Sequence, residues 1–131
     1  MNKELPINIK VIYHGFVKNE DIFKFYKNTS VNLLVSLSYS EGLPVSMMEA
    51  QSFGIPIMST DVGGCSEICS NETGILIEKE FDPQKIAEKI TQFKASDKNT
   101  AHFRRKCREY WERNFKDEVN YRKFAKRLLQ L

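Results

Sequence analysis

At 131 residues the chain is long enough for one modest domain and too short for two. With 41% hydrophobic and 28% charged residues it has the balance of an ordinary globular protein, which excludes a disordered one. No apolar run is long enough to cross a bilayer, Met1-Asn2-Lys3-Glu4 leads into no signal-peptide core, and a net charge of +3 without a recognition motif gives no reason to expect nucleic acid.

The chain opens on Ile7, Ile9, Val11 and Tyr13 alternating with Asn8, Lys10, Ile12 and His14. That period of two predicts a strand over about 7–13, ending at Gly15. Asn19 is placed to cap a helix that has Glu20 and Asp21 in its first turn and Ile22, Phe23, Phe25 and Tyr26 on its apolar side. Asn28-Thr29-Ser30 breaks this helix, and 31–36 reads as the next strand. Its Leu33, Leu34 and Val35 run is continuous, as a parallel strand covered on both faces requires.

The most informative stretch follows, Glu41-Gly42-Leu43-Pro44-Val45-Ser46-Met47-Met48-Glu49-Ala50. Pro44 fixes its own φ and has no N–H, so it suits the first position of a helix. Gly54 suits the left-handed position just past a helix end. A short helix over about 44–53 results, with free N–H groups expected on Val45, Ser46 and Met47, an anion site beside Gly42. Glu49 has Val45 and Phe53 four residues to either side and Ser46 three before it, so its face is not purely solvated. A carboxylate there should accept hydrogen bonds, and sugar or ribose hydroxyls would serve.

Beyond the helix, 54–60 reads as a strand, a short helix opens near Ser66, and 71–74 reads as a turn before a strand at 74–77. Asp82-Pro83 starts a helix by cap-plus-proline logic, with Ile86, Ile90 and Phe93 on one face. A polar break at 96–100 precedes a helix with Phe103, Cys107, Tyr110 and Trp111. Asp117 and Glu118 open a last helix with Phe124, Leu128 and Leu129 expected inward. Strands alternating with helices give an α/β class with a parallel sheet. The three cysteines, Cys65, Cys69 and Cys107, form neither a disulfide framework nor a C-x-x-C pair, and His14 and His102 add no ligand set. Basic residues crowd the carboxy-terminal helices, from Arg104 to Arg127. They are read first as a solvated face and second as a surface for anionic lipid.

Two glutamates eight residues apart occur in many helices as solvated groups, and it is their setting that is specific. Glu41 and Glu49, the strand at 31–36, Gly54-Ile55-Pro56-Ile57-Met58-Ser59-Thr60, the Asp61-Val62-Gly63-Gly64-Cys65-Ser66-Glu67-Ile68 loop and Gly74-Ile75-Leu76-Ile77 occur in order. Together they resemble the retaining, nucleotide-sugar-dependent glycosyltransferases of family 4, over about 8–92.

The resemblance implies a Rossmann-like parallel sheet with flanking helices, the truncated carboxy-terminal half of a GT-B fold. Residues 1–131 would form one partial donor-binding domain, with 8–92 the motif-bearing core and 99–131 the carboxy-terminal helices. The family's first two strands, its basic diphosphate loops and its amino-terminal acceptor domain have no counterpart here. Glu41 is implied as the catalytic residue contacting the donor sugar, with Gly42, Leu43 and Pro44 beside it. Glu49 would accept from the ribose hydroxyls, Val45 and Ser46 would lie near diphosphate and ribose, and Phe16 and Val17 near the base.

No metal or cofactor is implied; the substrates are a nucleoside-diphosphate sugar and a glycan or lipid-linked acceptor. The parent would be a cytoplasmic hexosyltransferase of polysaccharide biosynthesis, peripheral at the inner membrane face, and the isolated chain would be inactive. Two alternatives stand beside this: a non-catalytic nucleotide-sugar-binding or assembly module, and part of a GT-B sugar-nucleotide epimerase. An open sheet edge beside 31–36 would also favour a homodimer of this chain.

Overall fold

The computed structural model describes residues 5–130. Three parallel strands, β1 (Leu34–Ser36), β2 (Ile57–Thr60) and β3 (Gly74–Ile77), lie side by side in that order. Leu34 stands opposite Ile57, and Ile57 opposite Gly74. Around them are α1 (Asn19–Asn28), α2 (Val45–Ser52), α3 (Cys65–Ile68), α4 (Pro83–Lys94), α5 (Ala101–Asn114) and α6 (Asp117–Leu129). The α/β class and the parallel sheet are as the sequence predicts.

The central strand explains the layering. All four residues of β2 are buried, and successive side chains go to opposite faces. Ile57 joins Met47 of α2 and Cys65 and Ile68 of α3, with Leu34, Leu76 and Phe115 packed around them. Met58 joins Ile77 and Ile86 of α4 on the other face, with Leu33, Ile75 and Phe81.

Helix ends follow local chemistry. Asp82 Oδ1 accepts from the Gln84 N–H at 2.9 Å and Pro83 opens α4, as expected. Thr100 Oγ1 caps α5 by accepting from the Phe103 N–H at 3.2 Å. Gly54, at φ +68°, ends α2, and a Cβ there would come within 2.6 Å of the Arg104 carbonyl oxygen. The same glycine therefore terminates α2 and lets α5 lie against it. Arg104 donates to the Val31 carbonyl and Arg108 to the Ser52 carbonyl, the latter at the negative end of α2. Two residues of the basic run are thus structural ties, although Arg108 also remains exposed.

Four expectations are corrected. Residues 7–13 form no strand; Ile7, Val11, Ile12 and Tyr13 are exposed, and Ile9 N–H turns back to the Pro6 carbonyl at 2.8 Å. Alternation specifies two faces, but a strand exists only by pairing, and these residues do not take up the outer edge of β1. That strand is also shorter than 31–36, and Val35 in its middle is exposed. Pro44 is the N-cap of α2 rather than its first residue, its φ of −74° being paired with an extended ψ of 105°. In α6, Phe124, Leu128 and Leu129 are exposed and no residue is buried, because the helix packs mainly on α5 and makes few contacts even there.

Among the described residues nothing pairs with the outer edge of β1, and such an edge beside an exposed apolar segment is a template for another chain. The isolated 131-residue chain is therefore expected to self-associate; light scattering that shows a stable monomer at high micromolar concentration would count against this.

Burial also decides the cysteine chemistry. Desolvation pushes the Cys69 thiol up from 9.0 to about 12 and the Cys107 thiol to about 11. Below pH 9 the folded and unfolded chains both hold these protons, so the two thiols add no pH dependence to stability there. Between pH 9 and about 12 the unfolded chain releases them while the folded chain keeps them, so stability falls as pH rises. Cys65, Cys69 and Cys107 are all buried and free. A thiol reagent at pH 8 should label none of them in the native protein and every one after denaturation; native labelling would show that the core opens.

Candidate functional site

The loops leaving the carboxyl ends of β1 and β2 meet, and this meeting builds the site. Thr60, the last residue of β2, donates its hydroxyl to the Ser38 carbonyl at 2.6 Å. Ser38 in turn donates its own hydroxyl to Glu41 Oε1 at 2.7 Å. The Gly64 N–H donates to the Gly42 carbonyl at 2.8 Å. Gly63 lies at φ +53°, and a Cβ on it would overlap the Glu41 carbonyl oxygen. Only glycine gives both that backbone conformation and that closeness. The glycine pair is therefore the platform on which the Glu41–Gly42 turn rests, and Glu41 is half-buried with one oxygen already held.

Pro44 is buried at the end of this turn and sets the direction of α2. Among the described residues no acceptor takes the N–H of Val45 or of Ser46, whereas Met47 N–H donates to the Pro44 carbonyl at 3.2 Å. Two free donors, rather than the three expected, mark the positive end of the helix. Gly42, Leu43, Val45 and Ser46 are exposed beside it. Glu49 is half-buried one turn further along and accepts from Asn19 Nδ2 at 2.6 Å. Asn19, read from sequence as a cap, is instead the first residue of α1; the N-cap is Lys18, with no side-chain bond.

Residues 1–113 match the family described as glycosyl transferases group 1. The chain belongs to that family. It is 26% identical over 121 residues to the amylovoran biosynthesis glycosyltransferase AmsK of Erwinia amylovora, covering 89% of this chain and 30% of that protein. It is 35% identical over 78 residues to the N,N'-diacetylbacillosaminyl-diphospho-undecaprenol alpha-1,3-N-acetylgalactosaminyltransferase of Campylobacter jejuni, covering 60% of this chain and 20% of that one. Its fold superimposes on sucrose-phosphate synthase from Thermosynechococcus elongatus with a TM-score of 0.73 at 24% identity, over 88% of this chain and 29% of that one. The chain thus spans about a third or less of the length of these proteins.

In this group 1 glycosyltransferase chain, an open hollow of about 600 Å³ lies alongside α1, lined by His14, Phe16, Val17, Ile22, Phe25 and Tyr26 among others. Phe16 stands almost fully exposed at its lip, and the His14 and Phe25 rings meet edge-on at 5.7 Å. Tyr26 connects the hollow to Glu49: its hydroxyl is pushed above 10.0, first by burial and then by the Glu49 charge. The structure brings Glu41, Gly42, Leu43 and Pro44 onto one loop, and Val45, Ser46 and Glu49 onto the helix after it. Phe16 and Val17 stand across α1 on the hollow. Sequence reasoning missed Ser38, Thr60, Asn19 and Tyr26. Only Ser38, three residues before Glu41, carried a local signal.

Proposed function

We propose that this chain is the donor-binding portion of a retaining family 4 glycosyltransferase, the carboxy-terminal part of a longer GT-B enzyme. One observation carries the reading: Glu41 is clamped on the Gly63–Gly64 loop at the carboxyl end of the sheet, beside the open N-terminus of α2. Ligands of open α/β sheets bind in such crevices beyond the carboxyl ends of the strands.

In this reading the donor is a nucleoside-diphosphate sugar and the acceptor a glycan or a lipid-linked glycan. One relative is named for transfer to a diphospho-undecaprenol-linked sugar, which supports the lipid-linked class. The free N–H groups of Val45 and Ser46 and the α2 dipole meet the charge that develops on the leaving diphosphate. Oriented donors of this kind can take that charge without a metal ion, and we read the reaction as metal-independent. Glu41 accepts from donor-sugar hydroxyls through the oxygen that Ser38 leaves free, with Gly42, Leu43 and Pro44 shaping the sugar pocket. Its carboxylate also faces the positive charge of the oxocarbenium-like transition state. Glu49 accepts from the ribose hydroxyls, and Phe16 and Val17 border the base at the hollow.

The second half of α6, exposed all round, carries Arg122, Lys123, Lys126 and Arg127 with Tyr121, Phe124 and Leu128. That mixture suits an anionic bilayer surface and supports a peripheral place at the inner membrane face. Among the described residues no helix is long and apolar enough to cross a membrane.

Incubating the full-length protein with nucleotide-sugar donors and candidate acceptors, with mass spectrometry of the product, tests the activity. A hexose-mass increment on an acceptor is expected, and sugar release without transfer, or epimerised donor, would overturn it. The isolated chain should transfer nothing, since a site closed between two domains cannot assemble from one; transfer by the rigorously purified chain would refute that.

A further inference from the structure

The hydrogen bond between Asn19 and Glu49 joins residues 30 positions apart on two different helices. An asparagine at the start of a helix ordinarily serves its own backbone. Here its amide is committed to a carboxylate on α2 instead. The two helices do not need that bond to meet, because Phe23 and Tyr26 of α1 already pack on Phe53, with ring centroids 5.9 and 5.7 Å apart. What the amide fixes is therefore the carboxylate itself.

We propose that Asn19 is the positioning residue for Glu49. This rests on the reading of Glu49 as the acceptor for ribose hydroxyls. The Asn19 amide holds Oε1 and leaves Oε2, together with the second lone pair of Oε1, for a pair of ligand hydroxyls. A glutamate side chain has three torsions to freeze, and freezing them before the ligand arrives removes that cost from binding. A neutral donor does this without cancelling the charge, whereas lysine or arginine would compete with the ligand for the carboxylate. The charge matters because a hydroxyl bonded to an ionised acceptor is held more strongly than one bonded to a neutral acceptor.

The surroundings make the arrangement testable by pH. Tyr26 is the titratable neighbour whose hydroxyl feels Glu49, and with its pKa raised above 10.0 it stays neutral from pH 5.5 to 8. Asp21 on α1 is paired with Lys24 at 3.1 Å. His14 lines the hollow and belongs to the wild-type baseline.

The experiment is calorimetric titration of the full-length protein with UDP, GDP and ADP, followed by the tightest of these at pH 8 and pH 5.5, together with thermal melting. Glu49→Ala comes first and tests the underlying reading; if affinity does not change, that reading fails and the role of Asn19 falls with it. Where Glu49→Ala weakens binding, Asn19→Ala should weaken it about three- to tenfold at either pH, the range for one ordinary hydrogen bond, because the bond removed lies within the protein and not to the ligand. Asn19→Asp is isosteric, and at pH 8 it sets carboxylate against carboxylate, so its loss should exceed that of alanine. At pH 5.5 one proton shared between the two carboxylates restores a donor to Glu49, and the Asn19→Asp loss should shrink severalfold relative to wild type. Wild-type affinity in both Asn19 variants overturns the inference while leaving the donor-site reading intact. An Asn19→Asp loss that is the same at both pH values, or losses in both variants that track a lowered Tm, overturn it in favour of a purely structural bond.

Discussion

Glu41→Ala in the full-length protein is expected to lower kcat at least about a hundredfold while nucleoside-diphosphate affinity stays within about threefold of wild type. The asymmetry comes from where Glu41 sits. It belongs to the turn before α2, its backbone packs on Gly63 and Gly64, and Ser38 holds Oε1. Nothing about the turn needs the carboxylate for folding, since the Gly64–Gly42 bond and the buried Pro44 hold the backbone. A side chain so fixed, facing a donor sugar, acts mainly when charge develops at the reacting carbon. Steady-state kinetics with the preferred donor, alongside calorimetry with the nucleotide, separate the two effects. Near-normal turnover would make Glu41 a structural residue whose task is the bond to Ser38.

Glu49→Ala should show the opposite emphasis. Removing the acceptor for ribose hydroxyls forfeits charge-assisted hydrogen bonds worth about 1.5–3 kcal/mol, an affinity loss of about ten- to a hundredfold. The loss should appear with nucleotide alone, because no sugar is needed for the contact. Stability should change little, as Glu49 is half-buried and its one side-chain bond from the described residues comes from the exposed Asn19. Unchanged nucleoside-diphosphate affinity by calorimetry would refute the assignment. The half-buried Tyr26 offers a second readout, since the Glu49 charge helps raise its pKa. In Glu49→Ala the Tyr26 titration should move down toward 10.0, visible in ultraviolet absorbance.

What could be read in the sequence was what proline, glycine and helix caps decide locally. Pro44 and Gly54 bracket α2, Asp82-Pro83 opens α4, and the segments read as strands at 54–60 and 74–77 hold β2 and β3. The site loop was legible because Gly63 and Gly64 are demanded by close backbone approach, which leaves few other residue choices. Pairing across the chain was not legible. Residues 7–13 have the alternation of a strand but no partner in the sheet, and α6 has the stripe of a buried helix but little to bury it against. Asn19 has the chemistry of a cap, and the competing acceptor, Glu49, lies too far along the sequence for local reasoning to find. Thr60 is a strand residue by every local criterion, yet its hydroxyl braces the Ser38 carbonyl across 22 positions. The side chains that hold the two glutamates are the part of the site that only the folded chain makes visible.

The most direct measurement is a crystal structure of the full-length protein with a bound nucleoside diphosphate. The account predicts ribose hydroxyls within hydrogen-bond distance of Glu49, phosphate oxygens on the Val45 and Ser46 N–H groups, and Glu41 facing the place of the departed sugar. A nucleotide bound elsewhere, with Glu41 and Glu49 both turned to solvent, would contradict it.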